Sequence, residues 1–185
     1  MPNATQKQII KEAIDSFPVF ATHLWHFLRL PSPTPVQYQL ADYLQNGPNR
    51  RIIMAYRGCG KSFLTAGYVL WRLRKDPDTK VLVISAAQDR ADAFSVFCHD
   101  LLRNWFMVQD LFPSDTQRFS KVAFDVFGSK PDQSPSVRSS GIFGQITGSR
   151  ADLIVADDVE TPQSCETQLI RDKLRESIKE FDSVI

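Results

Sequence analysis

The residues of this chain whose types and spacing suit chemistry begin with Arg51 to Ser62, R-I-I-M-A-Y-R-G-C-G-K-S, where a short apolar run empties into a glycine-bearing turn ending Gly60-Lys61-Ser62. A triphosphate needs backbone N–H groups converging on its oxygens, a lysine that reaches the outer phosphates and a hydroxyl on the Mg²⁺, and this order of residues supplies all three. The candidate nucleotide contacts are therefore Ala55, Tyr56, Arg57, Gly58, Cys59, Gly60, Lys61 and Ser62, with ATP and Mg²⁺ as the implied ligands. The pattern G-x-x-x-x-G-K-[ST] would place glycine at position 55; this chain has Ala55, one small residue for another, and Gly58 adds freedom inside the loop.

A phosphate loop needs a second strand that delivers a carboxylate to the metal. The run L-I-V-A-D-D-V-E has that form, four apolar residues followed by Asp157-Asp158 and then Glu160. Asp157 directly follows the strand and is assigned to the Mg²⁺ shell beside Ser62. A carboxylate must also orient the attacking water, and here Asp158, adjacent to the metal residue, competes with Glu160, which has the longer reach. A plainer reading has the acidic cluster capping a helix that begins at Thr161-Pro162. Two arginines suit the charge of a phosphoryl-transfer transition state. Arg57 lies inside the loop and can act in cis. Arg150 could serve its own subunit's nucleotide or a neighbour's, or it could be a surface residue or an ion-pair partner of Asp152.

These residues need elements to hold them. Ile52-Ile53-Met54 reads as the buried strand before the loop, and Phe63 to Leu73 as the helix that the loop opens, its N-terminus favouring anions. Residues 6 to 30 read as helical with Pro18 as a break, and Thr34-Pro35 as the cap and first turn of a further helix. Lys80 to Ala86 is a continuous apolar strand of the kind buried on both faces of a parallel sheet, followed by a helix from Asp89 to about Trp105. A polar, irregular middle from Pro113 to Val137 contains a strand at Val122 to Val126. The strand Asp152 to Ala156 leads to the aspartates, and Glu166 to Ile185 is a charged amphipathic helix. The order predicts an α/β fold, a mainly parallel sheet flanked by helices with the phosphate site at its C-terminal edge. Because no strand follows the aspartates, the chain is expected to be part of a larger domain, incomplete at its C-terminus.

Composition narrows the class without choosing the chemistry. Hydrophobic residues make up 43% of the chain and charged residues 23%, which describes a globular protein with a core. A net charge of +1 is uninformative about nucleic acid, since neutrality can hide a basic face. No run approaches the roughly 18 apolar residues of a membrane span, and the N-terminus lacks a signal-peptide core, so no membrane and a cytoplasmic location are expected. Cys59, Cys98 and Cys165 have no C-x-x-C spacing, and His23, His26 and His99 lack a partner set, so all read as packing or surface residues.

Taken in order, P-T-P-V-Q at Pro33–Gln37, A-Y-R-G-C-G-K-S at Ala55–Ser62, V-L-V-I-S-A-A-Q-D-R-A-D-A at Val81–Ala93, Q-S-P-S-V-R-S-S-G-I-F-G-Q-I-T-G-S-R-A-D at Gln133–Asp152 and I-V-A-D-D-V-E at Ile154–Glu160 resemble the ATPase domain of the large terminase subunit, the DNA-packaging motor of short-tailed double-stranded DNA phages. The resemblance runs from about Phe20 onward. It implies a P-loop ATPase domain over residues 33–185, preceded by a helical segment over 1–32. It also implies that Arg57 contacts the γ-phosphate, that Gln37 contacts adenine, and that Arg150 acts on a neighbour. An amide side chain can pair with both the donor and the acceptor edge of adenine, which agrees with the place given to Gln37. The implied partners are double-stranded DNA, a portal protein, a small terminase subunit and further copies in a ring, at the procapsid in the host cytoplasm. The family's coupling motif and nuclease carboxylates have no counterpart by Ile185, which implies a fragment or a split or truncated product. Two rival readings share the loop: a helicase-like nucleic-acid translocase, and a truncated nucleotide-binding chain without autonomous activity.

Overall fold

The structure, a computed structural model, describes residues 3–146, 148–162 and 166–185. Thr147 and Cys165 lie outside the described residues.

The helices start where the local chemistry says they should. Asn3 opens α1 (Ala4–Ile14) with a capping box, its Oδ1 accepting from the Gln6 N–H and its own N–H donating to Gln6 Oε1, both at 2.9 Å. Pro18, expected as a break, instead sits in the first turn of α2 (Phe17–Phe27), where its missing N–H costs nothing; the break falls one turn earlier, at Asp15-Ser16. Thr34 caps α3 (Pro35–Asn46) with Gln37 as the reciprocal partner. The loop helix α4 runs Lys61–Lys75, and α5 runs Gln88–Asn104.

Four strands, β1 (Val81–Ser85), β2 (Ala123–Phe124), β3 (Val137–Gly141) and β4 (Leu153–Asp157), form one mixed sheet in the order β2-β3-β1-β4. β1 pairs in parallel with β3 and with β4, placing Ser85 opposite both Gly141 and Asp157; short β2 is antiparallel to β3. Helices cover the sheet on both faces. Val81 and Val83 join the larger core with α1 to α5, whereas Leu82 and Ile84 face Ile142, Ile146 and Leu174 of α6 (Gln168–Lys179) on the other side. The buried-both-faces character expected of β1 follows from this alternation. Helices α2 and α4 approach closely at Gly67, where a Cβ would meet Leu24 Cδ2 at 2.7 Å; that contact explains a glycine in mid-helix.

Three expectations from the sequence need correction. Ile52-Ile53-Met54 is extended but forms no ladder, because among the described residues no strand runs beside it; Ile53 packs on the core while Ile52 and Met54 are 83% and 92% exposed. The second core strand of the sheet, β3, was not expected, since V-R-S-S-G carries one aliphatic side chain and is held by polar contacts: Ser139 Oγ donates to Asp92 Oδ1 at 2.9 Å. The helix after the aspartates begins at Gln168 with Thr167 as its cap, Oγ1 accepting from the Ile170 N–H, so the acidic cluster does not cap it at Thr161-Pro162.

Candidate functional site: a phosphate loop facing the end of β4

The turn from the extended segment into α4 is built by two glycines. Gly58 and Gly60 hold φ of +88° and +84°, a left-handed region that side chains disfavour, and a Cβ on Gly60 would lie 2.8 Å from Trp25 Cζ2. Gly60 is the cap of α4, so Lys61 and Ser62 are its first two residues and their N–H groups belong to the unsatisfied set at a helix start. Lys61 folds back over the loop, donating from Nζ to the Ala55 carbonyl at 2.9 Å. Ser62, Arg57 and Tyr56 are exposed, and Cys59 is buried.

The loop is fastened to α3 by Gln37. Its Nε2 donates to the Cys59 carbonyl at 3.0 Å, and its Oε1 accepts from the Thr34 N–H at 2.7 Å and Oγ1 at 3.1 Å. Both polar atoms of the residue expected to meet adenine are thus engaged within the protein. For Gln37 to pair with a base, at least the Cys59 bond must exchange.

Across from the loop, β4 ends at Asp157, which is half-buried and lines one cavity with Lys61. Desolvation holds its carboxyl above the ordinary carboxylate range; the negative charge of Asp158 adds to this, and Lys61 and Arg90 oppose it. Asp158 follows at φ 47°, a left-handed conformation that costs a non-glycine residue of the order of 1 kcal/mol. Asp158 and Glu160 are both exposed. Arg90, in the first turn of α5, was missed by the sequence reading. The available signal was its position just beyond β1, whose last residue Ser85 lies beside Asp157 in the sheet. Gln88 stiffens the same corner: its Oε1 accepts from the Gly141 N–H at 3.1 Å and its Nε2 donates to Asp92 at 2.7 Å.

Arg150 is not part of this cluster. It precedes β4, whereas Asp157 ends it, so the two lie at opposite ends of a five-residue strand. At its own end of the sheet it lines a cleft with Asp132, Arg138 and Ser149, and its charge helps hold the Asp132 carboxyl below its ordinary value, after the Ser134 N–H and Lys80. No ion pair joins it to Asp152 among the described residues; Asp152 Oδ2 accepts instead from the Lys80 N–H at 2.7 Å.

A glycine loop opening a helix, set beside an acid-tipped parallel strand in a mixed sheet flanked by helices, is compatible with part of a P-loop NTPase of the α/β class. No family model matches the chain. It is similar to the terminase large subunit of Enterobacteria phage T3, with 44% identity over 178 residues that cover 96% of this chain and 30% of that protein, and it matches that protein's N-terminal part. The resemblance carried by the motifs is thereby borne out, and the chain spans about 30% of the length of the curated relative it matches.

Proposed function

We propose that this chain is the ATP-hydrolysing motor portion of a viral terminase large subunit, which in the whole protein drives double-stranded DNA into a procapsid. One observation carries the reading: Lys61 at the head of α4 and the half-buried Asp157 at the tip of β4 line the same cavity. Similarity to the phage T3 terminase large subunit supports this context, in which the proposed partners are double-stranded DNA, a portal protein, a small subunit and a ring of copies. Among the described residues no helix is long and apolar enough to cross a membrane; the proposed place of work is the procapsid in the host cytoplasm.

The residues fit ATP and Mg²⁺. Gly58 and Gly60 adopt the positive φ that a tight phosphate-binding turn uses, and the Lys61 ammonium rests on a backbone oxygen that a phosphate oxygen can replace. Magnesium triphosphate supplies the reactive phosphoryl group and its charge. With the nucleotide and metal bound, Lys61 and Arg57 would neutralise phosphate oxygens, Ser62 Oγ and Asp157 would hold the metal, and Asp158 or Glu160 would orient the attacking water. The opposed charges of Lys61 and Arg90 keep Asp157 ionisable despite burial.

Steady-state hydrolysis with and without Mg²⁺ tests the reading. Lys61→Ala is expected to lower turnover by about 10²-fold or more while leaving Tm within a few degrees of wild type, because it removes a charge at the phosphates and little packing. Unchanged Mg²⁺-dependent turnover in that variant refutes the assignment.

A further inference from the structure

The last turns of α4 and α5, together with α1 and two phenylalanines of the irregular chain beyond α5, line a cavity of about 790 Å³, and we infer that it is a docking site for an acidic peptide segment of a partner protein, anchored by a large apolar side chain. The cavity is remote from the phosphate loop. Helix α4 leaves the loop at Lys61 and reaches the cavity at Arg74, about 20 Å further along its axis. The inference therefore stands apart from the nucleotide reading, and no step of it uses phosphate chemistry.

Its apolar lining comes from Ile10 of α1, Leu102 of α5, Phe112 and Phe127. Ile10 and Leu102 are buried, whereas Phe127 is 55% exposed although its backbone is fixed, its N–H donating to the Leu111 carbonyl at 2.8 Å. An aromatic ring held on a tethered backbone and left half in water is apolar surface that a partner's side chain can cover without an ordering cost on this chain.

The charges around this lining are positive. Arg74 is neutralised by Asp110, whose two carboxylate oxygens accept from its two terminal nitrogens. Lys7, Lys11 and Arg103, all exposed, also line the cavity and have no carboxylate partner among the described residues. Arg103 is held in place over the rings of Phe112 and Phe119, 5.8 and 5.1 Å from their centres. Its place in the last turn of α5 suits the helix dipole, but Lys7 lies near the N-terminus of α1, where a cation gains nothing from it. Three unpaired cations spread around an apolar lining complement carboxylates that flank an apolar anchor. Duplex DNA would meet the same cations, but its backbone has no apolar side chain to fill the cavity, so the lining favours polypeptide.

Panning a random peptide display library on the 185-residue chain without nucleotide provides the test. Retained peptides are expected to share a Phe, Trp or Leu flanked by Asp or Glu, and a synthetic copy of one should bind less tightly as salt is raised. Two variants at exposed positions, Lys7→Glu with Lys11→Glu and, separately, Phe127→Ser, should each weaken that peptide by about tenfold or more while Tm stays within a few degrees of wild type. Duplex DNA of matching charge should not displace it. The inference is overturned if no acidic, apolar-anchored peptide is retained, if the peptide binds either folded variant as it binds wild type, or if DNA displaces it through the same residues, which would make the cavity's rim a nucleic-acid face.

Discussion

Gln37 donates from Nε2 to the carbonyl oxygen of Cys59 at 3.0 Å, tying the first turn of α3 to the middle of the phosphate loop across 22 residues of sequence. The same side chain closes the capping box with Thr34 through its oxygen, so one amide serves a helix start and the glycine loop together. A nucleotide that recruits the amide would release the loop, and an empty site would hold it.

This arrangement separates two substitutions. Gln37→Glu keeps an acceptor for the Thr34 N–H but sets a carboxylate against the Cys59 carbonyl, whereas Gln37→Ala loses both contacts. Gln37→Ala is expected to cost about 1 kcal/mol through the cap, or roughly 2–4 °C in Tm, and Gln37→Glu distinctly less. Both should speed tryptic cleavage after the exposed Arg57 in the nucleotide-free chain. Equal cleavage in wild type and both variants would show that the amide does not restrain the loop.

Much of this site is legible from residue order because its parts are local. The glycines, Lys61 and Ser62 are contiguous, and a strand tipped with Asp157-Asp158 announces itself by four apolar residues. What escaped was non-local. β3 is recognised only through partners that fold over it, Asp92 from α5 above all, so its polar sequence gave no period to read. Ile52-Ile53-Met54 has the composition of a buried strand and lacks its neighbour, which no local pattern reports. Arg90 enters the site because β1 lies in register with β4, and Arg150 leaves it because a strand's length separates the two ends of β4.

Asp157 provides the pH test. Its folded-state value is raised above the unfolded one, so the ionised form is disfavoured by folding and the nucleotide-free chain loses stability as pH rises through that raised value. Asp157→Asn is therefore expected to raise Tm at neutral pH without nucleotide. The difference should shrink as pH falls and vanish below about 3.9, where the unfolded chain is also protonated. With Mg²⁺ and ATP the order should reverse, since only the carboxylate holds the metal. A variant that is no more stable than wild type at pH 7 without ligand would contradict the desolvated carboxylate.

Asp158 and Glu160 differ in constraint as well as reach. Asp158 is fixed at φ 47° directly beside Asp157, whereas Glu160 lies two residues on in irregular chain. The residue that orients water should, as its amide, preserve Mg²⁺-nucleotide affinity and lower turnover by about 10²-fold or more. Asp158→Asn tolerates the left-handed conformation, so a loss there is chemical and not conformational. Glu160→Gln should be the more damaging of the two if reach decides. Normal turnover in both places the water-orienting carboxylate elsewhere.

Arg150 lies before β4, at the end of the sheet where it lines a cleft with Asp132, whereas Asp157 and the phosphate loop lie at the other end. A catalytic role therefore requires a second subunit whose loop approaches that end of the sheet. Such arginines are typically worth about 10³-fold or more in turnover. The isolated chain should hydrolyse ATP slowly, its rate per subunit should rise with protein concentration, and Arg150→Ala should abolish the rise while sparing nucleotide affinity. Mixing fixes the geometry: Arg150→Ala and Lys61→Ala subunits, each inactive alone, should regain part of the assembled rate, because some interfaces then pair an intact loop with an intact arginine. Absence of rescue in assemblies verified to contain both would leave Arg150 as a member of the Asp132 cleft, holding the loops at the far end of the sheet.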